Sequence, residues 1–131
     1  MEARPGVRRG PGVAAQRSGA AGEDDAARYL ENAGLQIVAR NFKTRLGEVD
    51  IVARDGAVTV FVEVKRRQNV SHGTAAEFVK GAKARRVVAA ARLYAARHGL
   101  SEKPIRFDVI AIDRIEGREQ IRHHKGAFDA R

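Results

Sequence analysis

Two carboxylate-bearing stretches stand close together in this chain: Gly47-Glu48-Val49-Asp50, then Glu63-Val64-Lys65, with Glu63 thirteen residues beyond Asp50. Carboxylates on neighbouring strands, with a lysine two residues past the second, supply what metal-assisted phosphodiester hydrolysis requires. Oxygen donors of this kind suit a hard divalent cation, Mg2+ or Mn2+. Asp50 and Glu63 are expected to hold the ion, with the Val64 carbonyl as a third protein ligand. Bound there, such an ion polarises the scissile phosphate and lowers the pKa of a coordinated water. Lys65 would orient or deprotonate that water, or stabilise charge gathering on phosphorus. Asp followed at a distance by Glu-x-Lys also arises by chance in surface hairpins, so the reading depends on the elements that carry the acids.

The intervening residues read as two strands, Glu48 to Arg54 and Ala57 to Lys65, joined by a tight turn at Asp55-Gly56. Side chains alternate across a strand, which places Glu48, Asp50 and Val52 on one face, opposite Val49, Ile51 and Ala53. On the next strand Phe61, Glu63 and Lys65 share a face, opposite Val60, Val62 and Val64. A two-residue turn at Asp55-Gly56 pairs Arg54 with Ala57, sets Glu48 opposite Glu63, and leaves Asp50 diagonal to Glu63. Only an even-length loop keeps the acids together. Three acids on one face repel, and Lys65 alone does not neutralise them, whereas a divalent cation does. Glu48 is a further metal or water contact, or the salt-bridge partner of a nearby arginine.

The rest of the chain supplies the frame. A helix is expected from about Gly19 to Asn32, with Glu23, Asp24 and Asp25 early, where they complement its dipole. A strand over Leu35 to Phe42 follows, and after the acid-bearing pair comes a polar loop over Gln68 to Thr74. A long helix runs from about Ala75 to His98, then a strand from Pro104 to Ile112 and a short fifth from Glu119 to His123. The order α-β-β-β-α-β-β indicates an α/β or α+β domain around a mixed sheet. Residues 1–18 read as a flexible basic tail, and residues 19–131 as one domain. On the long helix Lys83 falls within the apolar stripe of Val79, Val87, Ala90 and Tyr94. A lysine there snorkels to the rim or reaches an acid or a phosphate. Asp108, in an apolar strand after Arg106, reads as a buried ion pair. His123 and His124 point to opposite faces of a strand and do not share a metal, and His72 reads as a loop histidine on the surface.

The net charge is +9, and the whole excess lies in residues 65–106, where eleven Lys or Arg face two acids. Such a surface favours a polyanion, most often nucleic acid. Arg66, Arg67, Lys80 and Lys83, the cations nearest the acids in sequence, are its expected backbone contacts. Aromatics make up 5% and tryptophan is absent, which argues against a stacking platform and for readout of backbone and shape. With no cysteine, disulfides and thiolate metal sites are excluded, and the composition fits a reducing cytoplasm. No apolar run approaches the roughly 18 residues of a membrane span. The arginines near the N-terminus are not followed by the apolar segment of a secretory signal.

Gly47 to Val52, Val60 to Lys65 and Arg106-Phe107-Asp108-Val109, with Gly22-Glu23 early and Ala127-Phe128 late, resemble the signature of the YraN-like bacterial family. The likeness covers about residues 19–129. That family is similar to the PD-(D/E)xK restriction-endonuclease-like superfamily, whose members include archaeal Holliday-junction resolvases. The resemblance implies a restriction-endonuclease-like core, a central mixed sheet of about five strands flanked by helices. It implies catalytic or metal-binding positions at Asp50, Glu63 and Lys65. Glu23 matches the helix-borne acid that completes the metal site in resolvases. Val49 stands where the superfamily's name motif has proline. The implied activity is that of an Mg2+- or Mn2+-dependent endonuclease on structured or branched DNA, of repair or recombination type. By analogy with resolvases it implies a homodimer, because symmetric cutting of two strands needs two sites. Two alternatives stand beside it: a non-catalytic nucleic-acid-binding module, and an RNA-processing nuclease. The complete Asp, Glu and Lys set favours an enzyme over the module.

Overall fold

The chain forms α1 (Ala14–Asn32), β1 (Gln36–Lys43), β2 (Glu48–Asp55), β3 (Val58–Gln68), α2 (Gly81–Arg97), β4 (Ile105–Ile115) and β5 (Arg118–Phe128), the order expected from the sequence. The structure, a computed structural model, describes residues 14–68 and 81–129. His72, Lys80 and the expected helix start at Ala75 lie outside the described residues. The strands form one five-stranded sheet in the order β1-β2-β3-β4-β5. Its pairings are antiparallel except β3 with β4, which run parallel. That parallel pair needs a crossover connection, and α2 lies within it. The result is a mixed sheet with two helices, of α+β class and consistent with a restriction-endonuclease-like fold. No described helix is long and apolar enough to cross a membrane.

Each helix covers one face of the sheet. Ala26, Leu30 and Leu35 pack on Ile51, Ala53, Val60, Val62, Ile110 and Ile112. On the other face Val87, Ala90, Ala91 and Tyr94 pack on Val52, Phe61 and Phe107. Strands buried on both faces read as continuous apolar runs rather than alternating ones. Val60-Phe61-Val62 and Val109-Ile110-Ala111-Ile112, every one at 1% exposure or less, are such runs. Tyr94 fixes the second face by edge-to-face contact with Phe42 and Phe61, at 5.2 and 5.8 Å between ring centres.

Besides α1, which begins at Ala14 inside the stretch read as a tail, three details differ from the sequence expectation. The β2–β3 turn is Gly56-Ala57, with Asp55 paired to Val58, rather than Asp55-Gly56 with Arg54 paired to Ala57. Gly56 has φ +62°, the conformation a type II′ turn requires at its first central position. The register therefore shifts by two, an even number, so the facing of β3 against β2 is kept. Second, the alternation along β2 breaks. Ile51 and Ala53 pack on the α1 side as expected, but Val49 packs with Val52 on the α2 side. The break lies at Asp50, opposite Asn41, whose backbone has φ +56°. Asparagine is among the few residues that tolerate this conformation. Third, β5 runs on to Phe128 as a polar edge strand. A register shift between Phe107 and Val109 opens its pairing with β4 around Asp108.

Candidate active site

The turn before β2 is tightly built. Thr44 Oγ1 accepts hydrogen bonds from the N–H groups of Leu46 and Gly47, both at 3.0 Å. Gly47 lies against the backbone of α2, where a Cβ would overlap the Arg86 carbonyl. The glycine of the Gly-Glu-Val-Asp stretch thus lets β2 start in contact with the helix that carries Lys83. From there the β2–β3 ladder runs back from Asp55↔Val58 to Ile51↔Val62. Asp50 and Glu63 are the next residues in line. At this point the Val64 N–H donates to Asp50 Oδ2 at 2.8 Å, so a side chain of one strand caps the backbone of the other.

Two lysines meet the two acids. Lys83 Nζ lies 2.9 Å from Glu63 Oε2. Lys65 and Lys83 lie close enough to perturb each other, and each feels the charges of Asp50 and Glu63. From α1, Glu23 adds a third carboxylate, its pKa raised by burial first and then by the Asp50 charge nearby. Asn41 Nδ2 donates to Glu23 Oε1 at 3.1 Å, while Arg40 contacts Glu23 at 3.3 Å and Asp24 at 2.7 Å. The unusual backbone at Asn41 therefore orients an amide that positions Glu23.

Burial dominates the electrostatics. It raises the pKa of Asp50, against the Val64 N–H and the lysines, which pull it down. Burial and the neighbouring Asp50 charge raise Glu63 in the same way, more than Lys83 and Lys65 lower it. Lys65 is pushed down by burial and by Lys83 beside it. Burial works against the charge of Lys83 too, yet Glu63 and Lys65 beside it raise its pKa. Glu23, Asp50 and Glu63 are thus acids held in the fold with too little positive charge.

The structure brings together Asp50, Glu63, Lys65 and Lys83, with Glu23 alongside. Glu48 is exposed and reaches the group only through its charge, which raises Asp50. Arg66 and Arg67 turn to opposite sides of β3. Arg66 pairs with Glu119 at 2.9 Å, and Arg67 makes a two-pronged contact with buried Asp113 at 2.7 and 2.9 Å. These two of the four expected nucleic-acid contacts are therefore held within the protein. The sequence reading missed Arg40 and Asn41, although a polar pair interrupting an apolar strand was the available signal. It also missed Asp113 as the anchor of Arg67, a contact between strands 46 residues apart that spacing does not reveal.

Among the described residues, no three His, Asp or Glu side chains meet closely enough to hold an ion. Lys83 supplies the cation on Glu63 instead. The donor chemistry nonetheless fits a hard cation. Asp50 uses only Oδ2 for Val64, and the raised pKa values of Glu23, Asp50 and Glu63 mark oxygens short of positive charge. Asp50 and Glu63 would hold such an ion, with the Val64 carbonyl and Glu23 as further donors.

Residues 22–112 match the model of the uncharacterised protein family UPF0102. The chain belongs to the UPF0102 family. Two relatives within that family show how much is shared. A UPF0102 protein of Anaeromyxobacter dehalogenans is 47% identical over 120 residues, 92% of this chain and 90% of the relative. One of Symbiobacterium thermophilum is 46% identical over 116 residues, 88% of this chain and 98% of the relative. The YraN-like resemblance read from the sequence is thereby borne out. The UPF0102 match takes in Glu23, Asp50, Glu63, Lys65 and Lys83, and stops before β5.

Proposed function

We propose that this UPF0102 protein is a metal-dependent endonuclease of the PD-(D/E)xK superfamily that hydrolyses phosphodiester bonds in structured or branched DNA. The observation that carries the reading is the convergence of Asp50, Glu63 and Lys65 at the end of the β2–β3 ladder, with Lys83 supplied by α2. Mg2+ or Mn2+ held by Asp50 and Glu63 would supply a polarised phosphate and an acidified water. The protein's own part is then positional. The Val64 N–H fixes Asp50, and Asn41 with Arg40 fixes Glu23. Lys65, its pKa lowered by burial and by Lys83, is suited to take a proton from the attacking water. Lys83, 44% exposed at its side chain, is placed to move from Glu63 to a phosphate oxygen.

One observation supports a second reading. Lys83 already neutralises Glu63, as in a nucleic-acid-binding module whose metal position has been given over to a lysine. Cleavage assays with Mg2+ and with Mn2+ on four-way junction, flap, duplex and single-stranded DNA, and on RNA counterparts, separate the two. Cutting of junction or flap DNA is expected, and is lost in the Asp50→Ala, Glu63→Ala double variant. Tight junction binding without cutting in either metal would favour the module. Cutting by the double variant as well would expose a contaminant.

A further inference from the structure

Two side-chain nitrogens on β5, Arg122 Nε and His124 Nε2, are buried without a hydrogen-bond partner among the described residues. Buried polar atoms are nearly always paired, so an orphan calls for an explanation. Arginine Nε–H only donates, so whatever satisfies it is an acceptor. The sheet register puts both residues beside the acid site. Glu63 pairs with Val109 and Val109 with His124, while Lys65 pairs with Ala111 and Ala111 with Arg122. Residues opposed across a ladder share a face. His124 therefore stands in the row of Glu63, and Arg122 in the row of Lys65, with only apolar Val109 and Ala111 between.

The charge balance here is the reverse of that around Asp50. Both residues act on Asp113, whose carboxyl is held below its usual range by Arg67 first, against burial, and then by the charges of Arg122 and His124. Arg67 already engages both Asp113 oxygens, at 2.7 and 2.9 Å. Arg122 makes only a longer contact, Nη2 to Oδ2 at 3.4 Å, and 39% of its side chain is exposed. One acid thus answers two guanidiniums and an imidazole. Such a surplus repels a metal ion and attracts an oxyanion. The exposed tip and the sealed Nε of Arg122 belong to one planar fork, so a turn of the side chain offers both to a single oxyanion. Lys65 and Arg122 lie two strand spacings apart, about 10 Å between backbones. Phosphates of one strand follow each other at about 3.4 Å along a duplex. A strand crossing from β3 to β5 therefore brings a further phosphate to Arg122.

Resting on the nuclease reading, we propose that Arg122 and His124 form a second phosphate subsite, which binds the backbone of the cut strand within about three nucleotides of the scissile phosphate. The subsite reads no base. It fixes the register of the strand across Asp50 and Glu63.

The test is a methylphosphonate scan of four-way junction DNA. The cut is mapped with Mg2+, each phosphate within about three nucleotides of it is replaced in turn by the neutral group, and affinity is read by anisotropy in Ca2+. At one position the replacement should weaken wild-type binding about tenfold. Arg122→Ala should weaken binding of unmodified DNA by about the same factor, and the two changes together should cost no more than either alone, as for groups in contact. Arg122→Lys, which keeps the charge but not the fork, should bind about threefold more weakly than wild type. His124→Ala should show the same non-additivity at that position with a loss of about threefold. Thermal unfolding checks that the variants keep the fold, with Arg67 still holding Asp113. Losses that simply add at every position overturn the subsite and leave the nuclease reading intact. If inorganic phosphate shifts the His124 ring signals by NMR while the scan stays flat, the pair holds a free anion and the proposal fails. A wild-type protein that cuts no DNA removes the nuclease reading, and the subsite with it.

Discussion

Asp108 on β4 is a buried carboxylate and Asp50 on β2 a half-buried one on the same sheet, and their surroundings drive them in opposite directions. Burial raises the pKa of each, so burial does not distinguish them. The number of donors does. Asp108 accepts two bonds from Arg106, one from the Gly126 N–H, and pairs with His123 Nε2 at 2.7 Å. These outweigh burial and hold it at about 2. Asp113, held by Arg67 and Arg122, is lowered likewise. Asp50 has one backbone N–H and Glu63 one half-exposed lysine, and both stay raised. The first region consumes its charges in cohesion. The second keeps them unbalanced, the arrangement expected where a protein must bind or react.

The contrast can be tested at both ends. The largest effect is expected from Asp50→Asn with Glu63→Gln, which keep the shapes and remove the charges. Cleavage should fall at least about a hundredfold, the scale of losing a principal charge-stabilising group. Urea unfolding of that variant should stay within about 1 kcal/mol of wild type, since acids that lacked compensation have been neutralised. Asp108→Asn reverses the pattern. It leaves Arg106 short of its buried counter-charge and should cost about 3–5 kcal/mol, with residual activity tracking the folded fraction. A loss of equal size in both variants would erase the distinction.

The pH dependence has opposite signs in the two regions. Asp108 is depressed from 3.8 to about 2, so its contribution is complete above pH 4 and is lost as pH falls through the folded value. That loss is worth about 2 kcal/mol. Glu23, Asp50 and Glu63 are raised, so stability falls as pH climbs from their ordinary values, 3.8 to 4.5, towards the folded ones. Urea titrations from pH 2 to 7 should show the second slope shrink to the part Glu23 keeps through its own burial in Asp50→Asn, Glu63→Gln, while the first persists.

The smallest effect concerns Lys83. Removing a competing cation by Lys83→Met should tighten Mn2+ binding about two- to fivefold, as expected of a partly exposed ion pair. Calorimetry reads this without reference to cleavage. Looser binding would mean that Lys83 organises the acids rather than standing in for the metal.

Much of this was legible in the sequence, because local signals governed it. The period-two runs gave β2 and β3, and helical angle put Lys83 on the α2 stripe. The Asp-Gly pair indicated a hairpin but misplaced its turn by one residue, since Gly56 serves the first central position of a type II′ turn rather than the second of a type I′. Parity survived because the register moved by two. What stayed hidden was set through space. Val49 changes face beside Asn41, and His123 and Gly126 find Asp108 from an edge strand whose polar sequence, His123-His124-Lys125-Gly126, ends the expected strand early.

The parallel pairing of β3 with β4 has a kinetic corollary. Asp50 and Glu63 are joined by a local hairpin, whereas the β3–β4 register, from Thr59↔Ile105 onward, closes across 46 residues and encloses α2. Local contacts form early and distant ones late. On that ordering the acids meet while Lys83 is still unplaced, and during synthesis the hairpin can leave the ribosome before β4 is made. The nascent chain would then hold its carboxylates together with no lysine from α2 to quiet them, open to whatever cation the surroundings offer.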